Sequence, residues 1–201
     1  NRRVYTANGY FVLEPDILYT RGATGISAVN CVTAAVEEVL DRHFVDKERI
    51  GLIGHSFGGY ETAFIITQTK MFSAAVAGAA VTDLTSFYFS INNVNLKPDI
   101  WRFEKQQWRM GFSYFENKEA YLANSPLHQA DKIGCPLLLW AGKEDGVIPY
   151  TQSVEFYLAL RRLKKEVSFL LYPDEIHSLR KKENQQDLSV KILKWFDKHL
   201  K

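Results

Sequence analysis

One serine is placed where it could act as a nucleophile. Gly54-His55-Ser56-Phe57-Gly58-Gly59 follows the short apolar run Ile50-Gly51-Leu52-Ile53 and precedes a longer one over residues 60–66. The first run is strand-like, and the second reads as a helix. At so tight a strand-to-helix turn, a serine is forced into a strained backbone and its hydroxyl is lifted off the top of the sheet. Gly54 and Gly58 are expected to flank it because a Cβ at either place would meet the opposing chain. The Phe57 amide then falls in the first helical turn, where unpaired N–H groups and the helix dipole favour negative charge. An alcohol beside half an oxyanion hole suits acyl transfer. An ordinary glycine-rich turn has the same pattern, so the reading depends on partners elsewhere in the chain.

A serine alcohol needs a base, and the base needs an acid to orient it. Of the five histidines, His177 follows the apolar run ending Leu171-Tyr172-Pro173, in the loop Asp174-Glu175-Ile176-His177-Ser178. His55 adjoins the serine and should diverge from its hydroxyl, so it reads as a packed structural residue. His43 ends a helical pattern, where a cation suits the dipole, while His128 and His199 fall in an irregular stretch and the last helix. Two acids compete. Asp145 follows the run Leu137-Leu138-Leu139-Trp140, and Asp83 follows the run ending at Val81. Asp145 is preferred. The order Ser56, Asp145, His177 is that of α/β-hydrolases and differs from chymotrypsin and subtilisin.

The elements that must hold these residues alternate. Residues 1–8 read as the end of a helix stopped by Gly9, and residues 10–14 as a strand closed by Pro15. Ser27 is a candidate cap for a helix over 28–43. Further helices are expected at 58–69, 151–164 and 185–200, with strands at 50–53, within 72–81, at 136–140 and at 166–172. Strands alternating with helices imply a parallel sheet with its site at the strands' carboxyl ends. Residues 82–126 break the pattern. They are rich in aromatics without a clear period, which suits either core or the roof of a pocket.

With 46% hydrophobic and 24% charged residues, the 201-residue chain fits one globular domain over 1–201. A net charge of +2 is too small to suggest nucleic acid or an acidic membrane as partner. The longest small-apolar run, residues 72–81, is too short to span a bilayer. The two cysteines, Cys31 and Cys135, make neither a disulfide framework nor a metal motif, and read as small buried residues. No metal and no cofactor is expected.

Gly54-His55-Ser56-Phe57-Gly58-Gly59-Tyr60, Gly142-Lys143-Glu144-Asp145 and Pro173-Asp174-Glu175-Ile176-His177-Ser178 together resemble the catalytic domain of prolyl oligopeptidase-family serine peptidases. Trp108-Arg109-Met110-Gly111, leading to Asn124-Ser125-Pro126, adds to the likeness, which runs nearly end to end. It implies a peptide substrate, a triad of Ser56, Asp145 and His177, and a pocket for the residue before the cut bond bordered by Phe57, Val81, Phe87 and Ile148. It also implies sheet strands before residue 1. One of these would lie between residues 10–14 and 50–53, and its loop would supply the second oxyanion donor. On that reading the chain is the C-terminal part of an N-terminally truncated hydrolase whose upstream β-propeller is absent. Its exposed sheet edges would then pair with another copy, as a homo-oligomer, or rearrange locally. Dipeptidyl-peptidase members often carry Asn two places after the triad Asp. Val147 stands there instead, which weakens an exo-dipeptidase reading. A carboxylesterase would use the same three residues, and a catalytically silent binding domain would keep the fold alone. The chain begins with Asn, so a removed leader and a periplasmic or secreted location stand beside a cytoplasmic one.

Overall fold

The computed structural model describes residues 2–201. Helix α1 (Arg2–Thr6) is followed by Gly9 at φ +84°, as expected of a residue just past a helix end. The strand expected at 10–14 is absent. Residues 10–23 form neither helix nor strand, because no neighbouring strand offers them a ladder of backbone partners. Phe11 is 78% exposed and rests only its edge on Phe44.

Helix α2 (Thr24–Leu40) starts four residues earlier than the pattern suggests. Ser27 therefore lies inside it rather than capping it. Its hydroxyl donates to the Ala23 carbonyl at 2.8 Å and accepts the Thr20 amide at 2.9 Å, pinning the preceding loop to the helix. His43 lies beyond the helix in the left-handed region, φ 59°.

The alternation then follows as read: β1 (Gly51–His55), α3 (Phe57–Gln68) and β2 (Ala74–Gly78). Residues 82–126 hold helix α4 (Leu84–Tyr88), a two-residue hairpin of β3 (Ile91–Asn92) and β4 (Lys97–Pro98), and helices α5 (Ile100–Lys105) and α6 (Lys118–Ala123). Their aromatics are mostly core. Phe87, Tyr88, Phe103, Trp108 and Tyr121 are buried together, with Phe103 and Trp108 stacked at 4.9 Å. A 3₁₀ segment (Pro126–Lys132) leads to β5 (Leu137–Gly142), α7 (Thr151–Arg162), β6 (Val167–Tyr172) and α8 (Lys182–Leu200).

The main sheet runs β1-β2-β5-β6, all parallel. Its two faces separate by the period of two that strands impose. Ala75, Ala77, Leu137 and Leu139 pack on Ala63 and Ile66 of α3 and on Phe156 and Leu160 of α7. Ala74, Val76, Leu138 and Trp140 face Leu188, Ile192, Trp195 and Phe196 of α8. Apolar side chains cover both faces, so the three loops leaving β1, β5 and β6 at their carboxyl ends stand on rigid supports. Strand β1 is an edge with no second neighbour among the described residues, and Ile53 on it is 44% exposed. Cys31 and Cys135 are free and half-buried rather than fully buried. Burial raises the Cys135 thiol to about 11.

Candidate active site

Ser56 sits between β1 and α3 with φ 60° and ψ −121°. An L-residue reaches that backbone only under constraint. Two bonds hold it there: the Ser56 amide donates to the Gly78 carbonyl at 2.8 Å, and the Tyr60 amide donates to the Ser56 carbonyl at 3.0 Å. Gly54 is required as expected, since a Cβ on it would lie 2.0 Å from the Gly58 carbonyl oxygen. Gly58 is not. A Cβ there would meet only Glu61 Oε2, at 4.0 Å. The second obligatory glycine is Gly59, where a Cβ would stand 2.5 Å from the Gly78 carbonyl oxygen of β2. The Phe57 amide opens α3, where the helix offers its N–H no carbonyl.

The structure brings Ser56, His177 and Asp145 into one line. His177 Nε2 lies 2.7 Å from Ser56 Oγ, and His177 Nδ1 lies 2.7 Å from Asp145 Oδ2. Nδ1 donates to the carboxylate, which leaves Nε2 free to accept the serine proton. The Asp145 side chain is fully buried. Its other oxygen, Oδ1, accepts the amides of Val147 at 2.8 Å and Ile148 at 3.0 Å. Every carboxylate oxygen is thus engaged, and Val147 contributes its backbone rather than a polar side chain. Asp83 takes another role: it caps α4 by accepting from Thr85 and Ser86, and lies 3.6 Å from His128.

Two residues hold the His177 loop. Glu175 is buried and accepts the amides of Arg180 at 2.6 Å and Lys181 at 3.0 Å, and Asn184 Nδ2 at 2.8 Å. Burial raises its pKa, but these donors outweigh burial and hold the carboxyl below its ordinary value. His55 stacks on Trp140 at 5.0 Å, in line with its reading as a packed residue. It does more than pack, because its Nε2 donates to the His177 carbonyl at 2.8 Å. Burial foremost, with the nearby His177, lowers the His55 pKa and keeps a second charge away from the triad. The His55 bond could not be seen in the sequence, since it joins segments 122 residues apart, whereas the Glu175 bonds are local and reach only five to nine residues along the chain.

The four residues assigned to a pocket share one apolar cluster. Val81, Phe87 and Ile148 are buried in it, while Phe57 packs against it and stays partly exposed. Phe57 also meets Tyr19 at 6.0 Å and Trp108 at 5.0 Å, ring to ring. Among the described residues, no three His, Cys, Asp or Glu side chains converge as metal ligands, and no helix is long and apolar enough to cross a membrane.

The sequence model of the prolyl oligopeptidase family matches residues 19–201. The chain belongs to that family. It is 32% identical over 198 residues to the acylamino-acid-releasing enzyme of Sus scrofa, a match covering 93% of this chain and 25% of that protein. An uncharacterised peptidase of Bacillus subtilis is 29% identical over 184 residues, covering 90% of this chain and 27% of its own length. Among solved structures, a puromycin-hydrolysing peptidase of Mycobacterium tuberculosis superimposes with a TM-score of 0.81 at 30% identity, covering 90% of this chain and 26% of that one. Pyrococcus horikoshii acylaminoacyl peptidase gives 0.79 at 30% identity, covering 90% and 29%. The fold is therefore the α/β-hydrolase fold of these peptidases, and the chain spans about a quarter of the length of the family members it matches.

Proposed function

We propose that residues 1–201 act as the catalytic domain of a serine peptidase that cuts peptide bonds through an acyl-enzyme on Ser56. The observation that carries this is the pair of 2.7 Å bonds joining Ser56, His177 and Asp145. His177 Nε2 takes the hydroxyl proton as Ser56 Oγ attacks the peptide carbonyl. The tetrahedral oxyanion is met by the Phe57 N–H and by a second donor from outside these residues. Collapse breaks the C–N bond, and the leaving amine takes the proton from Nε2–H. Water then repeats the sequence on the ester and frees the acid. Asp145 keeps the imidazole in the Nδ1–H tautomer and stabilises its charged form.

The names of the relatives support amide and peptide bonds over carboxylic esters. Phe57, partly exposed, borders the pocket for the residue before the cut bond, and the buried Val81, Phe87 and Ile148 back it from the core. An upstream β-propeller as substrate sieve, and pairing of copies through sheet edges, belong to the same proposal. The open edge of β1 supports the second of these for residues 1–201 by themselves, since an upstream strand would cover that edge. A missing oxyanion donor costs about 3 kcal/mol, roughly a hundredfold or more in rate, so the full-length protein is the one to assay. It should label with a fluorophosphonate and hydrolyse peptide amides, and Ser56→Ala should lose both. Labelling that survives Ser56→Ala, or hydrolysis confined to p-nitrophenyl esters, would refute the proposal.

A further inference from the structure

Beside Phe57, away from the triad, several polar side chains meet without any assigned role. Two adjoining clefts of about 650 and 420 Å³ share Gln106 and Arg109. The smaller is walled by Tyr19, Arg21, Glu104, Lys105, Gln106 and Arg109. Its one carboxylate is engaged, since Glu104 accepts the Tyr88 hydroxyl at 2.7 Å. Among the described residues, Arg21, Lys105 and Arg109 have no carboxylate oxygen within 4.0 Å.

The two arginines are anchored by backbone instead. Arg21 Nη2 donates to the Gly111 carbonyl at 2.6 Å, and Arg109 Nη1 donates to the Gln107 carbonyl at 2.5 Å. Arg109 has φ 49°, a strained backbone for a side chain of its size. Its guanidinium lies 4.2 Å over the Tyr19 ring. The Tyr19 hydroxyl is bonded to the half-buried Glu61 carboxylate, so the ring under the guanidinium is fixed. Arg109 is therefore preorganised, and most of its five donors are left without a protein acceptor.

We propose that this cleft recognises a carboxylate on the peptide substrate, within about three residues of the bond to be cut, with Arg109 as the main ligand. A planar guanidinium pairs with a carboxylate through two parallel bonds, and Arg21 and Lys105 supply flanking charge. The reach follows from ring contacts: 6.0 Å from Phe57 to Tyr19 and 4.2 Å from Tyr19 to Arg109. Extended peptide covers that span in about three residues at ~3.3 Å each. The carboxylate belongs either to an Asp or Glu side chain or to the peptide's C-terminus. Only the word substrate rests on the Ser56 reading; binding does not.

The test uses full-length Ser56→Ala protein, which removes turnover, and peptide pairs matched in all but one group. One arm compares Glu with Gln at each of the three nearest positions. The other compares a C-terminal acid with its amide. The charged member of one pair should bind about tenfold tighter, the gain of one charge-assisted contact worth ~1.4 kcal/mol. Arg109→Gln should bring that ratio close to one, and Lys105→Gln, an exposed change, should roughly halve it. Ratios of one in both arms before any further mutation overturn the proposal. A ratio unchanged by both substitutions overturns it too. Fluorophosphonate labelling with Ser56 present judges the nucleophile separately: labelling without carboxylate preference removes the cleft alone, and preference without labelling removes the nucleophile alone.

Discussion

Gly54→Ala is the sharpest test of how the serine is positioned. The new Cβ would stand 2.0 Å from the Gly58 carbonyl oxygen, 2.3 Å from the Gly58 carbonyl carbon and 2.7 Å from Thr62 Oγ1. The first two atoms are backbone of α3 and cannot swing away. Ordinary contact starts near 3.4 Å, so β1 and α3 must separate by on the order of 1 Å in a close-packed interior. Overpacking of this kind costs about 3 kcal/mol. In a domain of this size that lowers the melting temperature by roughly 6–12 °C. Because the joint that opens is the one carrying Ser56, a ~1 Å error at the nucleophile should slow acylation about a hundredfold. Gly58→Ala is the matched control. Its nearest contact would be 4.0 Å, and alanine favours the helix by about 1 kcal/mol. Thermal unfolding and the rate of fluorophosphonate labelling of the full-length protein should separate the two variants, with Ser56→Ala setting the zero. Equal melting temperatures and labelling rates for the pair would refute the reasoning.

Two further outcomes follow from the His177 loop. Glu175→Gln should lower the melting temperature at pH 7 by several degrees, for the loss of about 2 kcal/mol of hydrogen bonds to a charged group. Because the Glu175 pKa is depressed in the folded state, its stabilisation is complete above the unfolded value near 4.3 and is lost as pH falls through the folded one. The gap between wild type and Glu175→Gln should therefore close below about pH 4; a constant gap down to pH 2.5 would count against the assignment. His55→Phe keeps a ring on Trp140 but removes the donor to the His177 carbonyl. Labelling should slow about fivefold, the worth of ~1 kcal/mol, with little change in melting temperature. Wild-type labelling would show that the bond does not position the loop.

The site was legible where chemistry is local. A serine between a short apolar run and a helical one announces its own turn, and β5 and β6 each end in a loop bearing one ionisable partner. Legibility failed where the outcome depends on a neighbour. Residues 10–14 have strand-like composition, yet a strand exists only beside another, and the structure offers none. Ser27 reads as a cap, but its hydroxyl turns back to Ala23, so the helix starts at Thr24. Gly58 and Gly59 look equivalent along the chain. Only the closeness of β2 makes the second one obligatory.

The sequence by itself determined which residue types stand at the strand ends, their order along the chain, and hence the family and its hydrolase fold, because these follow from local periodicity and short motifs. Tertiary structure alone decided that His55 braces the His177 loop, and that Tyr19, Glu61 and Arg109 converge beside Phe57. Those contacts join segments tens of residues apart with no shared pattern, and only chain packing brings them within hydrogen-bonding or ring-contact distance.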